Sequence, residues 1–215
     1  MANLKFYMTP GSCSIGIHLL LEELGLFFEA HVIDLLRGDH LRPEYLAINP
    51  RGSVPALQLA DGSALTDFIS IARSLADTHP KRQLLPESPE DRARALRVME
   101  YVIGVIHGEG FTRVFTSERY APDPEGKKAA EGEGQRIVRT GFERLEAMIT
   151  GPIYAMGSFS IVDAALFYVE FWAARIGMEL PTRCQRHYQA MLQRPSVRQV
   201  LAEEGYHSVL RQYPS

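Results

Sequence analysis

Apolar and polar positions recur in two styles along the chain, with short alternating runs up to residue 80 and long helical spacings from residue 90 onward. Leu4–Met8 (LKFYM) reads as a strand. It is stopped by Pro10-Gly11, a pair that ends regular structure because proline lacks an amide proton and glycine accepts unusual backbone angles. A helix is predicted over 12–25, opened by Ser12, with Ile15, Leu19, Leu20 and Leu24 near one face. Residues 28–34 alternate as a second strand, 42–48 make a short helix, and Asn49-Pro50-Arg51-Gly52 breaks it. Residues 54–59 form a third strand. Asp61-Gly62 is a hairpin signal, so 63–65 should return antiparallel as a fourth. A helix over 67–79 completes the set. This order requires at least one parallel crossover and one closing hairpin, an α/β domain within the first 80 residues.

Residues 81–89 read as a linker, with Pro80, Pro86 and Pro89 among several charges. Beyond it the pattern is all-α, with helices expected over 90–116, 127–148, 160–177, 184–193 and 197–204. Gly132, Gly134 and Gly141 weaken the second of these. Ser160 and Asp163 have the spacing of a capping box, flanked by Phe159 and Ala164 as a hydrophobic staple. That is a folding signal. The sequence contains no internal repeat.

Composition narrows the function without choosing it. With 215 residues, 46% hydrophobic and 23% charged, the chain can bury a sizeable core. A net charge of -3 excludes the basic stripe of a nucleic-acid or anionic-membrane binder. No stretch reaches the roughly 18 apolar residues of a membrane span, and residues 1–8 are too short and polar for a signal peptide. The two cysteines, Cys13 and Cys184, make a disulfide framework improbable and point to a reducing compartment, the cytoplasm. No metal site is expected.

Three places could carry chemistry. Cys13 follows Pro10-Gly11-Ser12 at a helix start, where unpaired amides and the helix dipole lower a thiol pKa and favour a thiolate. A small buried hydrophobe is the alternative. Ser12 and Ser14 flank Cys13, and either could be a simple helix cap. At Val54-Pro55 a proline opens a strand that the hairpin makes internal. A cis bond there leaves the Val54 backbone able to pair with an extended peptide, whereas a trans bond makes Pro55 an ordinary first residue. Thr66-Asp67-Phe68 lies where a strand passes into a helix. Its amides could hold a carboxylate and Asp67 an ammonium, or the residues could be caps alone.

Together the Pro10-Gly11-Ser12-Cys13-Ser14 turn, residues 46–57 (LAINPRGSVPAL), the Asp61-Gly62 hairpin and Ala76-Asp77-Thr78-His79-Pro80 resemble the glutathione S-transferase family, nearest its bacterial beta class. Residues 159–167 (FSIVDAALF) and Gln193-Arg194-Pro195 extend the resemblance more thinly. It implies a thioredoxin-like glutathione-binding domain over 1–80, a linker over 81–89, and a helical domain over 90–215. Glutathione would be the cosubstrate, a small electrophile the second substrate, and a homodimer the assembly. Cys13 would be the active-site residue, either assisting conjugation of glutathione or exchanging thiol and disulfide through a mixed disulfide with it, with Ser12 as its substitute and Tyr7 a third choice, while Val54, beside Pro55, would pair with the cysteinyl backbone of glutathione.

The family's usual Glu/Gln-Ser pair reads Asp67-Phe68 here, and Arg37 stands near the expected lysine. His107 is the candidate for the histidine of the first helix of the helical domain. Phe68 motivates a competing expectation, a binding or assembly module of the same fold with weak or no glutathione binding. A third is a specialised isomerase or reductive dehalogenase, with Phe111, Phe115, Tyr168 and Trp172 lining its pocket.

Overall fold

In the computed structural model, which describes residues 4–213, a parallel step is built first. Residues 1–3 and 214–215, the outer ends of the two expected domains, lie outside the described residues. Strand β1 (Leu4–Met8) leads through helix α1 (Ser14–Leu24) to β2 (Phe28–Val32), with Leu4 opposite Phe28 and Met8 opposite Val32. After the short α2 (Pro43–Leu46), β3 (Ala56–Gln58) returns antiparallel to β1, placing Phe6 opposite Leu57. β4 (Ala64–Leu65) closes the hairpin on β3, and α3 (Phe68–Thr78) follows. The strand order β2-β1-β3-β4 is the thioredoxin-like arrangement. One apolar layer covers it: Phe6, Ile15, Ile17, Leu19, Leu20, Leu21 and Ile71 have no exposed surface.

Two boundaries move relative to the sequence pattern. β3 starts at Ala56 rather than 54, because Pro55 has no amide to offer the ladder. α1 starts at Ser14 rather than Ser12. The turn before it is set by Gly11, whose φ of 73° is costly for any residue with a Cβ.

Past the 3-10 turn at Pro80–Arg82, α4 (Pro89–Tyr101) is capped by Ser88, which accepts from the Asp91 amide. It runs directly into a π-helical stretch, Val102–Phe111, and then α5 (Thr112–Phe115). The sequence pattern predicts a single long helix there. α6 (Pro124–Met148) is continuous through its glycines; Gly132 faces open space, while Gly134 and Gly141 serve packing. A Cβ on Gly134 would fall 2.8 Å from the Gly110 carbonyl, and one on Gly141 2.8 Å from Ile106 Cγ1. The π stretch can therefore press directly on α6.

α7 (Ile161–Arg175) is buried at every position from Ile161 to Ala173, and α8 is Thr182–Leu192. The predicted capping box is present. Asp163 Oδ2 accepts from the Ser160 amide at 2.7 Å and the Ser160 hydroxyl at 2.8 Å, while its Oδ1 accepts from the Ala155 amide at 2.7 Å. The same Oδ1 also lies 3.0 Å from His187 Nε2, and His187 Nδ1 lies 2.7 Å from Glu170 Oε2. All three ionisable side chains are fully buried.

The chain ends with α9 (Pro195–Glu203) and α10 (His207–Gln212). It divides into two compact units, Met1–Leu84 together with Met191–Ser215, and Leu85–Ala190. The last two helices thus belong with the sheet. Among the described residues no helix is long and apolar enough to cross a membrane.

Candidate thiol site

Cys13 is the N-cap residue of α1, already in helical conformation, and its side chain caps nothing. Its Sγ donates instead to the Val54 carbonyl at 3.4 Å. The Val54-Pro55 bond is cis, the first of the two alternatives the sequence leaves open, so the thiol meets the backbone expected to receive a peptide-like ligand. The neighbouring hydroxyls are engaged within the turn. Ser12 Oγ and Ser14 Oγ lie 2.7 Å apart, and Ser14 Oγ donates to the Thr9 carbonyl at 3.0 Å.

The expected lowering of the Cys13 pKa is overturned. Burial pushes the thiol up to about 12, and the helix-start amides of Cys13 and Ser14 pull it down by less. The amides act as anticipated, but the residue is only 9% exposed, and losing water costs a thiolate more than two amides return. Cys13 is therefore a protonated donor in the ligand-free protein. Cys184 is also a free thiol, fully buried and raised by burial and by the nearby Glu170 and Glu146 carboxylates.

What holds Val54 is not legible from the sequence. Tyr45 Oη and Asn49 Nδ2 both donate to the Ser53 carbonyl at 2.6 Å, and Asn49 Oδ1 accepts from the Arg51 amide at 3.1 Å. Asn49 is fully buried. In the sequence it reads only as part of a helix-breaking run. We expect Asn49→Ala to cost about 1–3 kcal/mol, the penalty for leaving buried polar groups without partners, and to raise the glutathione KM more than it lowers kcat. Urea unfolding and steady-state kinetics would check both.

At the start of α3, Asp67 Oδ1 accepts from the Ser70 amide at 2.7 Å and Oδ2 from the Ser70 hydroxyl at 2.9 Å. The cap reading of Asp67 holds, with the carboxylate fixed at the helix N-terminus. Phe68 is the first residue of α3 and is 5% exposed. Arg37 is exposed in the turn after β2, its amide donating to Asp34 Oδ1 at 3.0 Å. Tyr7 Oη reaches Gln58 Oε1 at 3.4 Å, and its ring stacks on His31 at 4.8 Å.

His107 lies in the second unit, within the π-helical stretch. Its Nδ1 is 3.1 Å from Tyr168 Oη, and its ring meets Trp172 edge-on at 5.0 Å. Burial pushes its pKa down to about 4, so it is neutral near pH 7. Phe111 and Phe115 stack at 5.4 Å, and both meet Trp172 edge-on. Phe115 stays half exposed.

The family model described as the N-terminal domain of glutathione S-transferase matches residues 11–78, the stretch that holds Cys13, Val54, Pro55 and Asp67. Over 94% of this chain and 99% of its relative, the sequence is 34% identical to the glutathione S-transferase GstA of Escherichia coli O157:H7. The chain belongs to the glutathione S-transferase family. A glutathione transferase homologue from Sulfitobacter, solved with bound glutathione, superposes with a TM-score of 0.87 at 28% identity, covering 94% of this chain and 99% of that one. The beta class enzyme of Sphingomonas chungbukensis superposes with a TM-score of 0.78 at 31% identity, over 94% and 98% of the two chains. Within this glutathione S-transferase frame Asp67-Phe68 lies at the junction where β4 passes into α3.

Proposed function

We propose that the protein is a glutathione transferase that binds glutathione as an added strand against Val54 and conjugates its sulfur to a small electrophile. The carrying observation is the Cys13 thiol donating to the Val54 carbonyl beside cis-Pro55. A bound cysteinyl group pairing with Val54 would bring its own sulfur next to Cys13, and the Cys13 S–H would turn from the carbonyl to that sulfur. A donor so placed favours glutathione as its thiolate. The thiolate attacks the electrophilic carbon, forming the C–S bond as the leaving group departs with its electron pair, and the thiol proton passes to solvent.

Asp67 would accept from the α-ammonium of the γ-glutamyl group, its carboxylate held in place by Ser70. The buried ring of Phe68 weighs against the module reading that this residue motivated. Arg37, exposed after β2, suits the glycyl carboxylate of glutathione. Within the second unit, neutral His107 and the rings of Phe115 and Trp172 form a largely apolar cluster. The assembly is a homodimer and the compartment the cytoplasm.

Isothermal titration with reduced glutathione tests this reading. Micromolar to sub-millimolar binding, weakened about tenfold or more in Asp67→Ala through loss of a charged hydrogen bond, is the expected result. No binding at millimolar ligand overturns it.

A further inference from the structure

The turn that carries Cys13 is held from outside by a residue far along the chain. Glu204 directly follows α9, and its side chain is 1% exposed. Its Oε2 accepts from the Gly11 amide at 2.6 Å, and its Oε1 lies 2.9 Å from His18 Nδ1. The other imidazole nitrogen, Nε2, lies 3.1 Å from Glu203 Oε2. Tyr206, two residues on, lies so close to Gly11 that a Cβ there would fall 1.8 Å from its hydroxyl.

Gly11 and His18 stand on opposite sides of Cys13, one in the turn leaving β1 and the other a turn into α1. One carboxylate therefore bridges the two pieces of backbone whose relative angle sets where the sulfur points. That angle has little slack. The Cys13 contact with the Val54 carbonyl is 3.4 Å, and a displacement of about 1 Å would carry it beyond hydrogen-bond range.

We propose that Glu204 is a positioning residue for Cys13, the C-terminal segment acting through the Gly11 amide and His18 to hold the thiol on the Val54 carbonyl. In turnover this rests on the transferase reading above; in the ligand-free protein it does not. Glutamine keeps an acceptor for Gly11 and a polar partner for His18, aspartate retracts the carboxylate by one methylene, and alanine removes both contacts.

Alkylation of Cys13 by iodoacetamide at pH 8 without glutathione, read by peptide mass, separates these cases. The rate is expected to rise at least tenfold in Glu204→Ala, at least threefold in Glu204→Asp, and to stay within threefold of wild type in Glu204→Gln. Should the alanine variant not fold, the aspartate variant carries the test. An unchanged rate in the folded variants overturns the proposal. With glutathione and an aryl halide, Glu204→Ala is expected to lower kcat at least tenfold in the wild-type background and less than twofold in Cys13→Ala, since coupled residues lose additivity. Equal losses in both backgrounds would assign Glu204 a general structural role and overturn the proposal. Failure of wild-type protein to bind glutathione would sink the transferase reading and leave the alkylation result standing.

Discussion

Replacing Asp163 with alanine is expected to destabilise the protein by about 3–5 kcal/mol, the range for breaking a buried charged network by removing one partner. The carboxylate serves Ser160, Ala155 and His187 at once, so its loss uncaps α7 and strips His187 of one of two counter-charges. Urea unfolding would measure this, and a cost below about 1 kcal/mol, the level of an ordinary hydrogen bond, would show that the network is not holding the helical unit. The pH dependence has a definite sign. Burial opposes charge on His187, but Glu170 and Asp163 outweigh it and push the imidazole up to about 10. Burial pushes Glu170 above the usual carboxylate range, and the pairing with His187 opposes that rise without cancelling it. Both groups thus hold protons more tightly folded than unfolded. The His187 contribution is fully present below its ordinary value near 6.5 and is lost as pH rises toward 10. Glu170, also raised, acts in the same direction as pH rises above its ordinary range. The urea midpoint should therefore fall between about pH 6 and 9.5, and His187→Gln should flatten that fall while lowering the midpoint near pH 6.

Cys13→Ala is expected to reduce kcat/KM for aryl halide conjugation by roughly 10–100-fold, since a hydrogen bond to a charged group contributes about 1.5–3 kcal/mol. Cys13→Ser should stay within a few-fold of wild type, because a hydroxyl donates where the thiol did. The comparison decides between two chemistries. A protonated Cys13, held up by burial, works as a donor that serine can replace. A thiol that exchanges with glutathione disulfide cannot be replaced by serine, so equal losses in the two variants would favour thiol-disulfide exchange through Cys13. Intact mass after incubation with oxidised glutathione separates the two directly, through the presence or absence of one glutathionyl group on Cys13.

Much of the first unit is legible because its signals are local. Pro10-Gly11, Asp61-Gly62 and the alternation within Leu4–Met8 each depend on neighbours in sequence, and the elements follow along the chain as expected, with one parallel crossover and one closing hairpin. Ser160 and Asp163 mark the start of α7 for the same reason. The sign of the Cys13 shift is not readable, since it depends on how much water the fold removes from the sulfur. Asn49 looks like a chain breaker because its partner, the Ser53 carbonyl, is displayed only after the loop folds. Glu204 and His18 are 186 residues apart, and nothing in a helical pattern names the surface its apolar face will cover. The π-helical stretch is hidden likewise, since its extra width answers to the close packing at Gly134 and Gly141.

Residues 191–215 complete the unit that begins the chain, and this constrains how the protein can be made. On the ribosome the sheet and α1 emerge first, yet the carboxylate that grips Gly11 and the arginine at position 194 that pairs with Glu23 at 2.7 Å are synthesised last. The thiol-bearing turn must wait, unclasped, through the whole of the helical segment. Contacts between such distant positions also slow closure of the native topology. A chain cut short at residue 190 would keep the sheet's sequence entire while lacking the clasp on the turn that bears Cys13.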